Sequence, residues 1–266
     1  MKITIVNLAL MGSLALASNI TLADPENSKC KDLPSHNKLH DALSSAKAQD
    51  NGGFGLNMWG TVVNRDGIVC AVAFTGNDRG DQWPGSRIIS AQKANTANAF
   101  SLPTLGDVPG LALSTANLYT ATQLGGPLFG LQESNPVDFF VAYKGPSRNY
   151  GQPNDPLVGN KIGGVNVFGG GLALYDNTGK LVGGIGVSGD SSCADHNIAW
   201  RTRNNLGLDF VPSGVNKDDP TRPDNIVYDI TPQPGQMDGV SASGWGHTKC
   251  SDAATSIAAN LPAVPE

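Results

Sequence analysis

The chain has 266 residues with a formal net charge of −5, and charged residues make up only 15% of the sequence. This low charge density, without any basic cluster, makes nucleic acid and anionic membrane surfaces poor partner candidates. Glycine accounts for 33 residues, which predicts a chain rich in turns and hairpins.

The N-terminal residues have the pattern of an export signal. Met1 and Lys2 give a positive start, residues 3–17 are mostly apolar, and residues 21–23 form a small-x-small cleavage site before Asp24. We therefore predict that residues 1–23 are a secretory signal peptide and that the protein is periplasmic or secreted. A retained anchor is the alternative, but the apolar run is shorter than the ~20 residues that a membrane span needs. We expect no stable membrane anchor.

Four cysteines follow, at positions 30, 70, 193 and 250. An even number in an exported chain indicates two disulfides. Three pairings are possible. We favour Cys30–Cys70 and Cys193–Cys250, because each would tie a terminal segment to the central part of the chain.

Helices and hairpins alternate along the sequence. Asp66-Gly67 and the turn at residues 176–179 each join two short apolar runs, which is typical of β-hairpins. Residues 132–164 read as a long irregular excursion in which only 139–143 resembles a strand. The order indicates an α+β domain with helices packed on an antiparallel sheet. The predicted helices are 35–50, 86–100, 114–124, 194–205 and 253–260, and the predicted strands are 58–64, 68–74, 171–175, 181–187 and an edge strand at 226–230.

The second hairpin is unusually rich in glycine, with Gly183, Gly184 and Gly186 inside its second strand. Glycine is unfavourable within strands, so this density predicts a close approach by another group. A tightly packed helix and a flat ligand explain the pattern equally well.

Four segments together resemble a known family. They read GTVVNRDGIVCAVAFTGN, SRIISAQKANTANAF, GGPLFG and FGGGLALYDNTGKLVGGIGVSGDSSCADHNIAW. In this order they resemble the GlcG/HbpS family of haem-binding proteins and the C-terminal domain of PduO-type proteins, over residues 33–208. The resemblance implies a profilin-like antiparallel sheet flanked by helices, a homo-oligomer, and haem as cofactor.

The domain plan follows from this resemblance. We expect a signal peptide at 1–23, a GlcG/HbpS-like domain at 24–208, and a loop-rich C-terminal extension at 209–266 packed on the same domain. The excursion, the extension and the second cysteine pair depart from the family pattern. Each could cover or reshape a ligand site.

Haem iron accepts histidine nitrogen, and the candidate metal ligands are His40 and His196. His36 and His40 stand four apart on a predicted helix, hence on one face; two solvated surface histidines are the alternative. His40 is the better single ligand because it lies deeper in the helix. His196 follows Asp195 and could instead cap or pack its helix. A Cys193–Cys250 bond would bring His247 close to His196, with the extension as a fixed wall beside this site.

The resemblance implies further ligand contacts. Thr96 occupies a Lys-Ala-x-Thr-Ala position near the haem, although a helix threonine packed on the sheet is the alternative reading. Arg87 and Lys93, on the same helix, are candidates to bind the haem propionates.

The leading interpretation is an exported protein that binds, transports or senses haem or a related tetrapyrrole. A first rival is a small-molecule-processing enzyme that uses His196 and Asp195, with His247 in a cleft closed by the extension. A second is a ligand-free assembly module. Ser188 lacks the Gly-x-Ser-x-Gly context of a nucleophile elbow, so no catalytic residue is assigned.

Overall fold

The structure is a computed structural model that describes residues 30–108, 110–233 and 236–265. The predicted signal peptide lies outside the described residues. Within them, no helix combines the length and apolar character needed to cross a membrane.

Six strands and six α-helices make up the regular structure of the described residues. Two short 3₁₀ helices, Thr115–Leu118 and Ser147–Asn149, complete it. In chain order the main elements are α1 (His36–Lys47), β1 (Trp59–Asn64), β2 (Val69–Phe74), α2 (Ser86–Phe100), α3 (Tyr119–Thr122), α4 (Phe139–Ala142), β3 (Gly171–Tyr175), β4 (Leu181–Ser188), α5 (Ser192–Asn205), β5 (Ile230–Gln233), β6 (Gln236–Ser241) and α6 (Asp252–Ala259).

The central sheet has four antiparallel strands in the order β2-β1-β4-β3. Neighbouring residues of a strand point to opposite faces. Val62 accordingly packs with Leu39 of α1 and Ile198 of α5, whereas Val63 packs with Ala91 of α2. Helices therefore cover both faces, which confirms the α+β fold with an antiparallel sheet flanked by helices.

The glycines of β4 allow α2 to approach the sheet at backbone distance. A Cβ atom added to Gly186 would lie 1.9 Å from the Ser90 carbonyl oxygen, and one on Gly184 would lie 2.4 Å from that of Ala94. Of the two explanations left open by the sequence, helix packing is the one that the structure supports at these positions.

A bulkier residue in β4 should separate α2 from the sheet. We expect Gly186→Val to lower the free energy of unfolding by about 3 kcal/mol, the upper end of the range for overpacking. Gly85→Ala is the matched control, because nothing lies within 4 Å of a Cβ added there. Urea denaturation compares the two variants. An equal midpoint for Gly186→Val and the native chain would contradict the packing argument.

Three sequence predictions need correction. The predicted strand at 139–143 is the helix α4, since the Asp138 carboxylate caps it by accepting the N–H groups of Phe140 and Val141. The predicted edge strand at 226–230 is displaced, because β5 begins at Ile230 and pairs with β6 in a separate two-stranded sheet. The single helix predicted at 114–124 is a 3₁₀ turn followed by the short α3.

The C-terminal segment adds to the main core. Ala254 and Ala258 of α6 and Leu261 are buried together with residues of α1 and α5. The Trp200 indole N–H donates to the Pro262 carbonyl at 2.9 Å. Both predicted disulfides, Cys30–Cys70 and Cys193–Cys250, are present and account for all four cysteines.

Candidate functional site

The two histidines of α1 lie side by side at the surface. The Ser35 hydroxyl accepts a hydrogen bond from the Lys38 N–H and so marks the start of the helix. As their spacing predicts, His36 and His40 share one face, with ring centroids 6.4 Å apart and ring planes inclined by 17°. Both rings are partly accessible to solvent.

The ring nitrogens of these histidines differ in their partners. His36 Nε2 lies 2.8 Å from the Gly151 carbonyl oxygen, to which it donates, and its Nδ1 lies 3.1 Å from the side-chain amide of Asn37. His40 Nδ1 lies 3.1 Å from the Asp41 carboxylate. Within the described residues His40 Nε2 has no protein partner. With the Nδ1 proton directed at Asp41, the Nε2 lone pair is available to a metal.

A surface depression runs beside these histidines, and we call it the α1–β2 groove. One part, of about 370 Å³, contains both histidines, and the adjoining part, of about 580 Å³, follows β2 past the Cys30–Cys70 disulfide. Each volume falls within the range of ligand pockets, roughly 300–1,000 Å³. The groove is lined among others by Leu33, Pro34, His36, His40, Phe74 and Gln152.

Lys93 and Asp195 form a buried ion pair between α2 and α5. Lys93 Nζ lies 2.7 Å from Asp195 Oδ2 and also donates to the Val187 carbonyl at 3.1 Å. The Asp190 N–H donates to the other carboxylate oxygen at 2.9 Å. Burial raises the pKa of Asp195, and the Lys93 ammonium opposes that rise. The Lys93 charge is therefore neutralised inside the protein.

His196 is fully buried one residue beyond Asp195. Its Nε2 lies 3.1 Å from Asn225 Oδ1 and 3.2 Å from the Ile226 N–H nitrogen, whereas its Nδ1 has no partner among the described residues. Burial lowers the pKa of His196 to about 3, so the ring is neutral at pH 7.

His247 is buried on the extension that the Cys193–Cys250 disulfide holds against α5. Its Nδ1 lies 2.7 Å from the Thr248 carbonyl oxygen, and its ring packs on Tyr119 with centroids 4.8 Å apart. Its Nε2 has no partner in the described chain. Burial lowers the pKa of His247 to about 4. A positive charge on His247 would lower the pKa of His196 further.

Arg87 forms a separate buried ion pair, between α2 and the excursion. Its guanidinium forms a two-pronged ion pair with Asp155, donates to the Ala142 carbonyl at 2.9 Å, and lies 3.7 Å from the centroid of the Tyr150 ring. The Asp155 carboxylate also accepts the Gly151 N–H at 2.6 Å. This arginine fixes the excursion to α2 and is not exposed to a ligand.

Thr96 is buried in α2. Its hydroxyl donates to the Gln92 carbonyl at 2.7 Å and accepts the Asn166 N–H at 3.0 Å. The side chain thus serves packing and hydrogen bonding inside the protein, and its complete burial keeps it from contact with a ligand at the surface.

The structure therefore divides the predicted site residues among separate places. His40 lies in the α1–β2 groove, whereas Arg87 and Thr96 occupy two separate buried positions. Within the described residues, no three His, Cys, Asp or Glu side chains are placed to hold a bare metal ion. The remaining four are buried in or beside α5, namely Lys93, Asp195, His196 and His247, and of these Lys93 and Asp195 pair with each other.

Some residues of the groove could not be identified from the sequence. Asp41 was visible as the neighbour of His40, and an acidic residue beside a histidine is a usable signal. Gly151 and Gln152 belong to the irregular excursion, which has no periodicity from which their position could be derived. Their contact with α1 depends on tertiary packing.

Comparison with known proteins places the chain in a family. Residues 37–203 match the family model described as "Haem degrading protein HbpS-like". This match covers more than half of the sequence, and the chain belongs to the HbpS-like family. No protein of curated function matches it.

The solved structures that match the chain share little sequence with it. The haem complex of PduOC is 21% identical over 65% of this chain and 91% of that one, with a TM-score of 0.43. Protein ORFY of Klebsiella pneumoniae is 20% identical over 74% and 97%, with a TM-score of 0.42. A double mutant of HbpS from Streptomyces reticuli is 17% identical over 77% and 99%, with a TM-score of 0.39.

Proposed function

We propose that this chain binds haem, or a related tetrapyrrole, in the α1–β2 groove with His40 Nε2 as an iron ligand. The observation that carries the proposal is the state of His40: its Nδ1 lies against Asp41, while its Nε2 has no protein partner in the described chain. Membership of the HbpS-like family and the haem bound by PduOC support the choice of ligand.

The chemistry of His40 suits this role. A carboxylate that accepts the Nδ1 proton fixes the tautomer and makes Nε2 a stronger donor to a metal. Histidine nitrogen is a common protein ligand of haem iron. His36 does not offer the same donor, because its Nε2 is held by the Gly151 carbonyl.

Other residues that line the groove support this choice of cofactor. The partly exposed Leu33 offers apolar contact to a macrocycle, and the exposed Lys31 offers a cation to a propionate. Arg87 and Lys93 do not serve the propionates in this proposal, since Asp155 and Asp195 neutralise them internally. Bound haem would supply an iron centre with visible absorption.

Replacing the proposed ligand should weaken haem binding. We expect His40→Ala to lower the affinity for haemin at least about tenfold, equivalent to about 1.4 kcal/mol, and to shift the Soret band. Lys38→Ala is the matched control, because Lys38 is an exposed residue of the same helix that does not line the groove. Titration with haemin followed by visible absorption compares them.

Two results would contradict this assignment. One is an unchanged Soret band and affinity in His40→Ala. The other is loss of binding in a His196 variant whose fold is intact. The buried positions of Asp195 and His196 do not favour an enzyme as a second candidate function.

We also propose that the protein is exported and assembles with copies of itself. Two disulfides support an oxidising compartment, and the exposed Leu124 and Phe129 offer apolar surface for subunit contacts. The intact mass of the native protein tests export, because a mass that includes residues 1–23 would contradict cleavage. Light scattering gives the oligomeric state, and a monomer at all concentrations would exclude assembly.

A further inference from the structure

A second depression of about 510 Å³, which we call the aromatic groove, lies on another part of the surface. It is formed by the start of β1, the loop before α2 and the segment 143–150. Trp59, Tyr143 and Tyr150 line it, together with the charged residues Asp78 and Arg79. None of these five residues lines the α1–β2 groove.

Gly151 separates the two grooves. A Cβ atom added to it would lie 2.2 Å from Phe74 Cδ1 and 2.7 Å from Trp59 Cζ3, so its backbone lies directly on these two rings. Tyr150, on one side of Gly151, lines the aromatic groove, and Gln152, on the other side, lines the α1–β2 groove. The aromatic groove is therefore a site of its own.

Two of its aromatic rings are held in place, and because Trp59 is buried, Tyr143 and Tyr150 present the ring surface that a ligand can reach. The Trp59 indole N–H donates to the Trp83 carbonyl at 3.0 Å. One face of the Tyr150 ring is covered by the Arg87 guanidinium, which Asp155 fixes in turn. The fixed Tyr150 ring loses little conformational freedom when a ligand binds, which favours recognition.

The two charged residues of the groove define its polar chemistry. Arg79 Nη1 lies 3.5 Å from Asp78 Oδ2, and the two side chains remain 45% and 66% exposed. The carboxylate is an acceptor and the guanidinium a donor, so a ligand that both donates and accepts can satisfy both. Hydroxyl groups have this property.

From these features we propose that the aromatic groove binds a neutral saccharide. Sugar rings present C–H groups with partial positive charge, which stack on the negative faces of aromatic rings. Their neighbouring hydroxyl groups match the Asp78–Arg79 pair. A carboxylate ligand would be repelled by the like charge of Asp78, and an ammonium ligand would be repelled by the like charge of Arg79. A plain aromatic hydrocarbon would desolvate both charges without replacing their hydrogen bonds. The inference does not depend on haem binding.

Saturation-transfer NMR with maltotriose, cellotriose and chitotriose tests the proposal on the full chain. We expect signals on the ring C–H groups of at least one trisaccharide. Tyr143→Ala should weaken that binding about fivefold, the value of one aromatic contact. Tyr143 is 70% exposed, so this variant should fold normally. Phe140→Ala is the matched control, because Phe140 is an 80% exposed residue of α4 that does not line the groove.

Arg79→Gln is a second variant that tests the same site. It should weaken trisaccharide binding and leave the thermal unfolding midpoint unchanged. Absence of signals from all three trisaccharides would overturn the proposal. Signals of equal strength in the native chain and Tyr143→Ala would do the same. Binding of 2-naphthol that depends on Tyr143, without trisaccharide binding, would overturn the saccharide proposal in favour of a planar aromatic ligand.

Discussion

Replacing Cys193 and Cys250 by serine is expected to lower the free energy of unfolding by about 4 kcal/mol. The bond links residues 57 apart in sequence, and the chain-entropy model assigns this value to a closed loop of that size. The fold should persist, because Ala254, Ala258 and Leu261 remain in the main core. Chemical denaturation of the native and double-serine proteins measures the difference. Equal stability would show that the extension is held without the disulfide.

The other disulfide supplies the control for function. Cys30–Cys70 closes a separation of 40 residues, so its removal should cost a similar amount of stability, but both cysteines line the α1–β2 groove. We expect haemin affinity to fall in the variant without Cys30–Cys70 and to stay unchanged in the variant without Cys193–Cys250. If haemin affinity instead falls only in the variant without Cys193–Cys250, the haem site would lie at the extension that carries His247.

The hairpins were predictable because their causes are local. Gly67 and Gly179 adopt φ of 75° and 73°, a conformation that glycine allows at little cost. Asp-Gly and Asn-Thr-Gly between short apolar runs predict such turns from the local sequence alone. The same is true of the α+β class, which follows from the alternation of hairpins and helices.

The helix α4 shows where local preference was misleading. Phe139, Phe140 and Val141 have side chains that favour strands, yet the preceding Asp138 caps a helical turn. No neighbouring strand is paired with these residues in the described sheets. For a segment this short, one capping residue outweighs a strand preference that has no partner to realise it.

The candidate site was only partly predictable, because charge partners depend on tertiary contacts. Arg87 and Lys93 were read as cations for a ligand. Their partners are Asp155 and Asp195, which lie 68 and 102 residues away in sequence. Nothing in the spacing of charges along the chain indicates such pairs. His40 was predicted from its position on α1, which is a local feature of the sequence.

Acidification should destabilise the protein through its two buried histidines. Burial lowers the pKa of His196 to about 3 and that of His247 to about 4, from an ordinary value of 6.5. Below pH ~6.5 these two histidines therefore bind protons in the unfolded chain but stay neutral in the folded chain. The free energy of unfolding thus falls as the pH falls. Each histidine contributes about 1.4 kcal/mol per pH unit in this window. Asp195 acts in the opposite sense, because burial raises its pKa.

With two histidines opposed by one carboxyl group, we expect a net loss of about 3 kcal/mol between pH 7 and pH 5. Urea denaturation at both pH values measures it. His247→Gln removes one of the two proton acceptors, so the loss between the two pH values should become clearly smaller in this variant, whatever its stability at pH 7. A loss of the same size in His247→Gln and the native chain would mean that His247 is not the group that the folded protein keeps neutral. The acid sensitivity would then be due to His196 alone.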